Sequence, residues 1–336
     1  MPVSFMGYYP ERKRLITGLM SFDIAVSGNL DRNEFGMPLR CGYHIYSTKT
    51  GIGKTTCALS LAGIVSGLLK GNIAILPIDT FDIEMAKEII TKSGADGKCE
   101  FIFEEKPIDQ VEKLRKLYLE KDTCVSVLDS INAVMSTVVW ESKPGDGNMG
   151  RDALFLSNHI KHMKRDTVAA KEDKIFIMTN VGFVNMGFVG THTKGGDAPR
   201  SQTSIHIRLE IGKIGNKYIQ YPVGRLVTGK VEKNNWGIGG QEFRFFVLGG
   251  MGIHKGLTAV FDCLSYGYAD VDGRNVSLNG EKLSSVKEML ADYNNDELFM
   301  PFIKQLADAK DDIVKGVKVK KSKKSDEDDV LPEDEL

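Results

Sequence analysis

The sequence predicts an α/β protein in which a mostly parallel central sheet is followed by antiparallel hairpins and a small C-terminal α/β appendage. Short apolar runs alternate with helical segments from residue 42 to about residue 180. Continuous apolar strands with helices between them are typical of a parallel sheet that is covered on both faces. Beyond residue 203 the residues alternate with period two, which favours hairpins, and helices around a turn-rich stretch follow.

The predicted elements follow one another in chain order. Strands are expected at 42–47, 71–79, 99–103, 123–130 and 174–180. Helices are expected at 54–69, 83–93, 111–120 and 151–171. The stretch 204–233 contains a Gly-Asn-Lys turn and is expected to form antiparallel hairpins. From 254 to 309 a helix, the turn-rich segment 268–283 and two more helices would complete the appendage.

Length and composition limit the architecture. With 336 residues, the chain holds one large domain with appendages, or two domains. An apolar share of 42% and a charged share of 26% exclude a fully disordered or fibrous chain. We predict an N-terminal arm and lead-in segment at 1–30, an α/β core at 31–253, a C-terminal unit at 254–309 and a tail at 310–336.

Charge, cysteine content and hydropathy narrow the function classes. The net charge is −1, so any anion-binding site has to be local. The five cysteines form no Cys-x-x-Cys pair, which disfavours a disulfide framework and a structural zinc site. No apolar run reaches the roughly 18 residues of a membrane span, and the first residues lack the apolar region of a signal peptide. We therefore expect a soluble, cytoplasmic protein with no membrane partner.

The residues from 310 onward combine a lysine-rich cluster with an acidic end at 326–335. Like-charge blocks without aromatic residues cannot bury a core, so this segment is predicted to be a disordered tail. Two interpretations stay open. The tail is a solvated, solubilising segment, or its acidic end mimics nucleic acid and competes for a basic groove.

The most specific motif lies between a predicted strand and a predicted helix. It consists of Thr48, Lys49, Thr50, Gly51, Ile52, Gly53, Lys54, Thr55 and Thr56. Backbone amides in such a turn, together with the helix N-terminus, form a concave anion site, the phosphate-binding P-loop. Lys54 would reach the β and γ phosphates of ATP, and the Thr55 hydroxyl would bind Mg²⁺. Thr48 stands where the usual pattern has glycine, whereas Gly51 and Gly53 are kept; the alternative is an ordinary strand–turn–helix with a surface lysine.

A second component of a nucleotide site is predicted at Asp129, the second-to-last residue of the strand predicted at 123–130. In nucleoside triphosphatases an aspartate at this place holds Mg²⁺, directly or through water. An aspartate at a strand end is weak support on its own, because most such residues belong to turns or caps. Its place about 75 residues after the P-loop, with βα units between, makes a magnesium role the stronger interpretation.

With these motifs, the chain resembles the RecA family of recombinases, on the bacterial RecA and phage UvsX side. The resemblance covers about residues 16–306 and implies a RecA-like ATPase core with two DNA-binding loops. The matching segments are, in order, ITGLMSFDIAVSG, GKTTCALSLAG, LPIDTFD, LDSINAV, GDGNMGRDALFLSNHIKHM, THTKGGDAPRSQTSIHIRLEIGKIG and KVEKNN. Seven segments in the family's order are far more specific than any one of them.

What the resemblance implies is a DNA-dependent ATPase of homologous recombination and DNA repair. Such a protein assembles into a helical filament on single-stranded DNA and pairs that strand with homologous duplex DNA. Loader or single-strand-binding proteins would be its accessory partners. The location implied is the bacterial cytoplasm, or that of a bacterial host for a phage-encoded chain.

One departure from the family concerns the catalytic carboxylate. The resemblance places the family's water-orienting glutamate at Phe81, and phenylalanine cannot act as a general base. Asp79, Asp82 and Glu84 are the neighbouring carboxylates. Either Asp82 takes over the attacking water through a small backbone shift, with Asp79 as the next candidate, or hydrolysis is slow or absent.

Two further departures concern phosphate sensing and the subunit interface. Val181 occupies the place of the family's glutamine that senses the γ-phosphate. The family's pair of interface lysines is represented by Lys233 and Asn235, so one cation remains to stabilise a phosphate bound on the next subunit.

Two loops are candidate DNA-binding segments. The first, at 142–151, offers Asn148, Met149 and Arg151; the second, at 181–202, offers Phe188, Lys194, Gly195, Gly196 and Arg200. Glycines permit close backbone approach, cations meet phosphates, and an aromatic ring can stack between bases. The alternatives are a helix-capping stretch for the first loop and a flexible surface insertion for the second.

Three functions remain open at this point. The first is an ATP-dependent strand-exchange protein. The second is a catalytically weakened, nucleotide-gated DNA-binding protein, motivated by Phe81, Val181 and Asn235. The third is a hexameric, helicase-like motor on the same core, against which the two loops and the C-terminal appendage argue.

Overall fold

The computed structural model describes residues 13–28, 35–77, 82–142, 150–184, 191–193, 198–214, 217–272 and 275–314. Its helices are α1 (Met20–Ser27), α2 (Lys54–Leu69), α3 (Ile83–Lys92), α4 (Pro107–Leu119), α5 (Thr137–Trp140), α6 (Arg151–Ala169), α7 (Ala198–Gln202), α8 (Lys255–Tyr266), α9 (Val286–Ala291), α10 (Met300–Asp308) and α11 (Lys310–Val314). Two 3₁₀ turns span Ile131–Ala133 and Asp296–Leu298.

The strands of the described residues include several that are only two residues long. They are β1 (Arg14–Leu15), β2 (Met37–Pro38), β3 (Cys41–Ser47), β4 (Asn72–Pro77), β5 (Cys99–Phe101), β6 (Thr123–Asp129), β7 (Ile175–Val184), β8 (Thr191–Thr193), β9 (Ile205–Ile211), β10 (Lys213–Ile214), β11 (Lys217–Tyr218), β12 (Gln220–Tyr221), β13 (Gly224–Asn234), β14 (Glu242–Leu248), β15 (Gly252–Ile253), β16 (Ala269–Asp272), β17 (Asn275–Leu278) and β18 (Glu281–Ser285).

The central sheet has the strand order β15-β14-β13-β9-β3-β7-β6-β4-β5. Strand β3 lies between β7 and β9 and is parallel to both, and β6, β4 and β5 continue the parallel part. From β9 the sheet continues antiparallel through β13, β14 and β15. The predicted fold class, a mostly parallel sheet followed by antiparallel hairpins, is confirmed.

Apolar side chains cover both faces of the parallel strands. One cluster joins Phe22 of α1, Leu59 of α2 and Ile89 of α3 to Ile45 of β3. On the opposite face, α4 and α6 pack against β6 and β7. All seven residues of β3 are buried, as expected for a strand covered on both faces. Because each fully buried large apolar side chain contributes about 1.5–3 kcal/mol, these two layers fix the sheet that carries the site.

Several predicted bounds differ from the structure. Helix α4 begins at Pro107, four residues before the predicted start, because proline is well suited to a first helical turn. The stretch 268–283 forms the antiparallel strands β16, β17 and the start of β18, since apolar and polar residues alternate along its short runs. Helix α11 spans Lys310–Val314, so the predicted tail cannot begin at 310; the buried Ile313 still packs on the C-terminal core.

The loop predicted at 181–202 is partly regular. Strand β7 continues to Val184 and pairs antiparallel with β8, and helix α7 follows at Ala198–Gln202. Those parts of 181–202 are therefore strand and helix, where the sequence predicted a loop. The segments 185–190 and 194–197 lie outside the described residues.

The C-terminal unit shares its core with the antiparallel strands. Leu226 of β13 and Phe246 of β14 pack in one cluster with Phe261 of α8 and Phe302 of α10. The Phe246 and Phe261 rings stack at a centroid distance of 5.2 Å. The unit predicted at 254–309 is thus continuous with the sheet through these four aromatic and aliphatic side chains. Within the described residues, no helix combines the length and apolarity needed to cross a membrane.

Two buried carboxyl groups lie on α1 and α8, at Asp23 and Asp262. Asp262 of α8 is fully buried, and its Oδ2 accepts a hydrogen bond from the Ser21 backbone N–H of α1 at 3.2 Å. Asp23 of α1 accepts bonds from the Thr17 hydroxyl at 2.8 Å and from backbone amides. Burial raises the pKa of each carboxyl to about 7, against partial compensation from these hydrogen bonds and from Arg244 beside Asp262 and Lys255 beside Asp23.

We expect Asp262→Asn to flatten the pH dependence of stability. The folded-state pKa of about 7 lies above the unfolded value of 3.8, so the folded protein holds the extra proton. The buried Asp262 carboxyl therefore stabilises the fold most at low pH. This stabilisation is lost as the pH rises from the unfolded-state pKa to the folded-state pKa. Removing the titration should shrink the loss of stability between pH 5 and pH 8 by on the order of 2 kcal/mol. Urea unfolding of wild type and variant at both pH values measures it, and equal slopes against pH would contradict it.

Candidate functional site

The loop between β3 and α2 has the backbone shape of an anion-binding turn. Gly51 has φ 72° and Gly53 has φ 103°, both in the left-handed region that residues with a side chain rarely adopt. Gly53 is also the N-cap of α2, so no capping side chain covers the first amide groups of this 16-residue helix. These amides and the positive end of the helix dipole face the loop. The described loop thus has two left-handed glycines ahead of a helix N-terminus that no side chain caps.

Three side chains hold the loop. The Lys54 ammonium donates to Ser47 Oγ at 3.1 Å, and Ser47 Oγ donates to the Lys49 carbonyl at 2.5 Å. Arg225 of β13 reaches the loop from the other side and donates to the Gly51 carbonyl at 2.8 Å. Sequence reasoning missed Arg225, because a contact across 174 residues leaves no local signal. Lys54 and Arg225 together give the loop a positive field suited to polyphosphate.

A cavity of about 660 Å³ lies beside the first half of the loop. It is lined by Thr48, Lys49 and Ile52 of the loop, by Tyr218 of β11 and by Arg244 of β14. Its volume falls in the range of about 300–1,000 Å³ that is common for small-molecule sites. Of the predicted loop residues, Thr50 lies in the exposed turn, and Thr55 and Thr56 lie in the first turn of α2.

Asp129 lies at the carboxyl end of β6, as predicted, and is 4% exposed. Its Oδ1 accepts a hydrogen bond from the hydroxyl of Thr179 on β7, which lies beside Ile45 of β3. The carboxyl ends of β6, β7 and β3 therefore meet at one edge of the sheet, where the P-loop begins. No cluster of three His, Cys, Asp or Glu residues in the described parts of the chain could hold a metal alone. Thr55 and Asp129 fit Mg²⁺ only in company with phosphate oxygens and water, which is how Mg²⁺ is commonly bound.

Val181 continues β7 directly beside Ser47 of β3 in the parallel register. The predicted phosphate-sensing place thus adjoins the start of the P-loop and carries an apolar side chain. Its backbone N–H donates to Asn180 Oδ1 at 2.8 Å. Val181 has no group that could bond a phosphate oxygen through its side chain.

Asp82 has a structural task in the described chain. It is the N-cap of α3, and its Oδ1 accepts hydrogen bonds from the backbone N–H groups of Glu84 and Met85 at 3.0 and 3.1 Å. Glu84 pairs with Lys87 at 2.7 Å on the exposed surface of the same helix. Phe81 and Asp79 lie outside the described residues. Because Oδ1 of Asp82 makes the capping bonds, Oδ2 is the oxygen that could bond the attacking water.

Lys233 does not join the P-loop of its own chain. It pairs in register with His206 of β9, which pairs with His44 of β3, three residues before Ser47. That places it about 10 Å back along the strands and about 10 Å across the sheet from the end of β3. Its ammonium donates instead to the carbonyls of Arg200, Ser201 and Thr203, at 2.7, 3.3 and 2.7 Å.

Sequence reasoning also missed a buried polar cluster between β3, β9 and β13. The Nδ1 atoms of His44 and His206 lie 2.8 Å apart, and the Tyr46 hydroxyl donates to Glu232 Oε2 at 2.7 Å. Burial, followed by the charges of Arg200 and Lys233, lowers the pKa of His206 to about 4. Both rings are consequently neutral at pH 7, and one Nδ1–H donates to the other ring.

Two of the predicted DNA-binding residues lie in the described chain. Arg151 is the exposed first residue of α6, and Arg200 is exposed on α7. The others lie outside the described residues: Asn148, Met149, Phe188, Lys194, Gly195 and Gly196. Structural support for the two predicted DNA-binding loops therefore comes from Arg151 and Arg200.

Curated proteins named RecA match most of the chain. The chain is 25% identical over 286 residues to the RecA of Geobacter sulfurreducens. The aligned region covers 83% of this chain and 80% of that protein. It is 26% identical over 282 residues to the RecA of Leptospira biflexa (82% and 69%) and 24% identical over 312 residues to that of Rhodococcus opacus (90% and 82%).

The chain is related to the RecA family. The family relationship agrees with the mostly parallel α/β core and with the position of the P-loop between β3 and α2. No protein-family model matches the chain. At identities of 24–28%, individual site residues can differ between the chain and its relatives, and Phe81 and Val181 remain the predicted places of such differences.

Proposed function

We propose that the chain is an ATP-dependent DNA strand-exchange protein that assembles into a filament on single-stranded DNA. The observation that carries the proposal is the P-loop geometry, with Gly51 and Gly53 in left-handed conformations ahead of α2 and Asp129 at the same sheet edge. In a chain related to the RecA family, that edge is suited to bind the phosphates of ATP with Mg²⁺.

The roles within this function follow the side chains. The loop amides and Lys54 would hold the β and γ phosphates, and Thr55 and Asp129 would hold Mg²⁺, which neutralises charge on those phosphates. Lys233 would serve a phosphate on a neighbouring copy if it left its carbonyl partners. Arg151 and Arg200 would contact single-stranded DNA together with the predicted loop residues, and homologous duplex DNA would be the second substrate.

The test is ATP turnover measured with and without single-stranded DNA, alongside images of the assemblies. The proposal expects turnover that DNA stimulates and helical filaments that require nucleotide. Lys54→Ala is the matched inactive control. Wild-type protein that neither binds ATP nor binds single-stranded DNA would contradict the proposal.

A second function, a nucleotide-gated DNA-binding protein with little turnover, is favoured by two observations. The Oδ1 of Asp82 is occupied by two capping bonds, and Val181 adjoins the P-loop without a polar side chain. In the same assay it predicts that ATP tightens DNA binding while turnover stays near the uncatalysed level. Closed rings in the images would instead favour a helicase-like motor.

A further inference from the structure

We propose that Arg225 is a positioning residue of the nucleotide site. Through its bond to the Gly51 carbonyl, it holds the P-loop in the shape that turns the Ile52 backbone N–H towards a bound phosphate. The inference rests on the proposed function only for the identity of that anion, the polyphosphate of ATP. Arg225 acts through the loop and not by contact with the nucleotide, so its effect on the loop is present without any ligand.

The contact comes from a strand that is fixed in the sheet. Arg225 Nη1 donates to the Gly51 carbonyl oxygen at 2.8 Å, within the usual range of an N–H···O hydrogen bond. The backbone of Arg225 pairs with Val247 of β14 on one side and with Gln220 of β12 on the other. A guanidinium carried by a strand that is paired on both sides reaches the loop from one defined position. Its bond therefore restricts where the Gly51 peptide can lie.

A bond to the Gly51 carbonyl decides the direction of the next amide. In a planar trans peptide, the carbonyl and the N–H of the following residue point to opposite sides. The Ile52 N–H therefore points away from Arg225. In the part of the chain that the structure describes, no hydrogen bond uses this N–H, although Ile52 is 3% exposed. An amide without a partner beside a helix N-terminus is what an anion-binding turn requires.

Packing fixes the residues after Gly51 but not Gly51 itself. The Ile52 side chain belongs to the same core cluster as Val247, and a Cβ placed on Gly53 would lie 3.8 Å from Val247 Cγ1. Gly51 is exposed, and a Cβ placed there would meet nothing within 4 Å. Among the described residues, the hydrogen bond from Arg225 is the one contact that we find holding Gly51 in its left-handed conformation, with φ 72°.

Loss of this bond would change how often the loop has its binding shape. Glycine populates both signs of φ about equally, so a Gly51 peptide without its anchor can turn the Ile52 N–H away from the phosphate. The observed affinity falls in proportion to the population that keeps the binding shape, and a fall to about a tenth weakens binding roughly tenfold. The loss therefore appears in ATP affinity, whereas turnover at saturating ATP stays as in wild type.

The first arm of the experiment is a stability cycle without ligand. Gly51→Ala meets no clash, so its cost is the strain of a side chain at positive φ. If Arg225 enforces that φ, the Arg225→Met background should remove at least half of the stability loss that Gly51→Ala causes in wild type. Gly280→Ala is the matched control, because Gly280 has φ 88° and equally open surroundings between β17 and β18. Its loss should be the same in both backgrounds, and urea unfolding measures all of them.

The second arm measures affinity for ATP and for inorganic tripolyphosphate by calorimetry. Arg225→Met should weaken both ligands by the same factor, roughly tenfold. Arg225→Lys should recover most of the affinity, because an ammonium can donate to the same carbonyl. Arg165→Met, which removes an exposed arginine of α6, should leave both affinities unchanged.

The outcomes separate this inference from the proposed function. A Gly51→Ala loss that is equal in both backgrounds would overturn the positioning role, as would a loss of affinity for ATP that tripolyphosphate does not share. Coupling to Gly51 without any loss of affinity in Arg225→Met would remove Arg225 from the nucleotide site. Wild-type protein that shows the coupling but binds neither ATP nor tripolyphosphate would instead contradict the proposed function, and Arg225 would remain the residue that shapes the loop.

Discussion

Lys54→Ala is expected to abolish nucleotide-dependent assembly. The Lys54 ammonium lies at the first turn of α2 and donates to Ser47 Oγ at 3.1 Å, so it is held at the mouth of the anion-binding turn. Losing a charge-assisted contact to desolvated phosphate oxygens costs on the order of 2–5 kcal/mol. That corresponds to roughly a thirtyfold to several-thousandfold loss of ATP affinity.

The measurement is ATP affinity by calorimetry, with assembly followed by light scattering. Lys304→Ala serves as the control, because it removes one exposed lysine far along the chain. Circular dichroism should show the same helix content in both variants, since Lys54 begins α2 and alanine is a strong helix former. Unchanged ATP affinity in Lys54→Ala would remove the P-loop assignment, and with it the proposed function.

The elements with strong local signals were predictable from the sequence. Helix α2 runs from Lys54 to Leu69, the predicted bounds, because the loop glycines mark its start and apolar residues fill its length. Asp129 ends β6 as expected, since a charged residue after a mostly apolar strand marks the sheet edge. Pro107 marks the start of α4, and the prediction missed it because it relied on the apolar pattern alone.

Strand pairing was less accessible to sequence reasoning. Period-two alternation in the stretch that became β9 indicated antiparallel neighbours, and β13 is one. On its other side β9 is parallel to β3, which places the antiparallel part in the same sheet as the P-loop. Alternation reports which faces are buried and does not report which strand lies alongside.

The contacts that define the site were the least predictable part. Arg225 on the Gly51 carbonyl and Lys233 on three α7 carbonyls are long-range bonds to backbone atoms, and any residue type can supply a carbonyl. The sequence showed only that Lys233 is positively charged. Its partners depend on the sheet register, which only the fold determines.

Asp82→Asn is expected to cut ATP turnover by roughly a hundredfold or more while ATP binding stays intact, if Asp82 orients the attacking water. The structure makes this variant a clean one. Asparagine caps helices about as well as aspartate, so its side-chain oxygen can keep the bonds from the Glu84 and Met85 amides at the start of α3. The substitution then removes the carboxylate charge alone.

Asp82→Ala is the matched comparison, because it removes both the charge and the cap. It should show the same loss of turnover and in addition lose about 1 kcal/mol of stability, the usual cost of an N-cap. Steady-state turnover with saturating single-stranded DNA and urea unfolding separate the two effects. If Asp82→Asn turns over ATP like wild type, Asp82 is only a cap, and Asp79 and Glu84 become the next candidates. If wild-type turnover is already near zero and Phe81→Glu raises it, the chain has given up hydrolysis, and the nucleotide-gated binding protein is the better description.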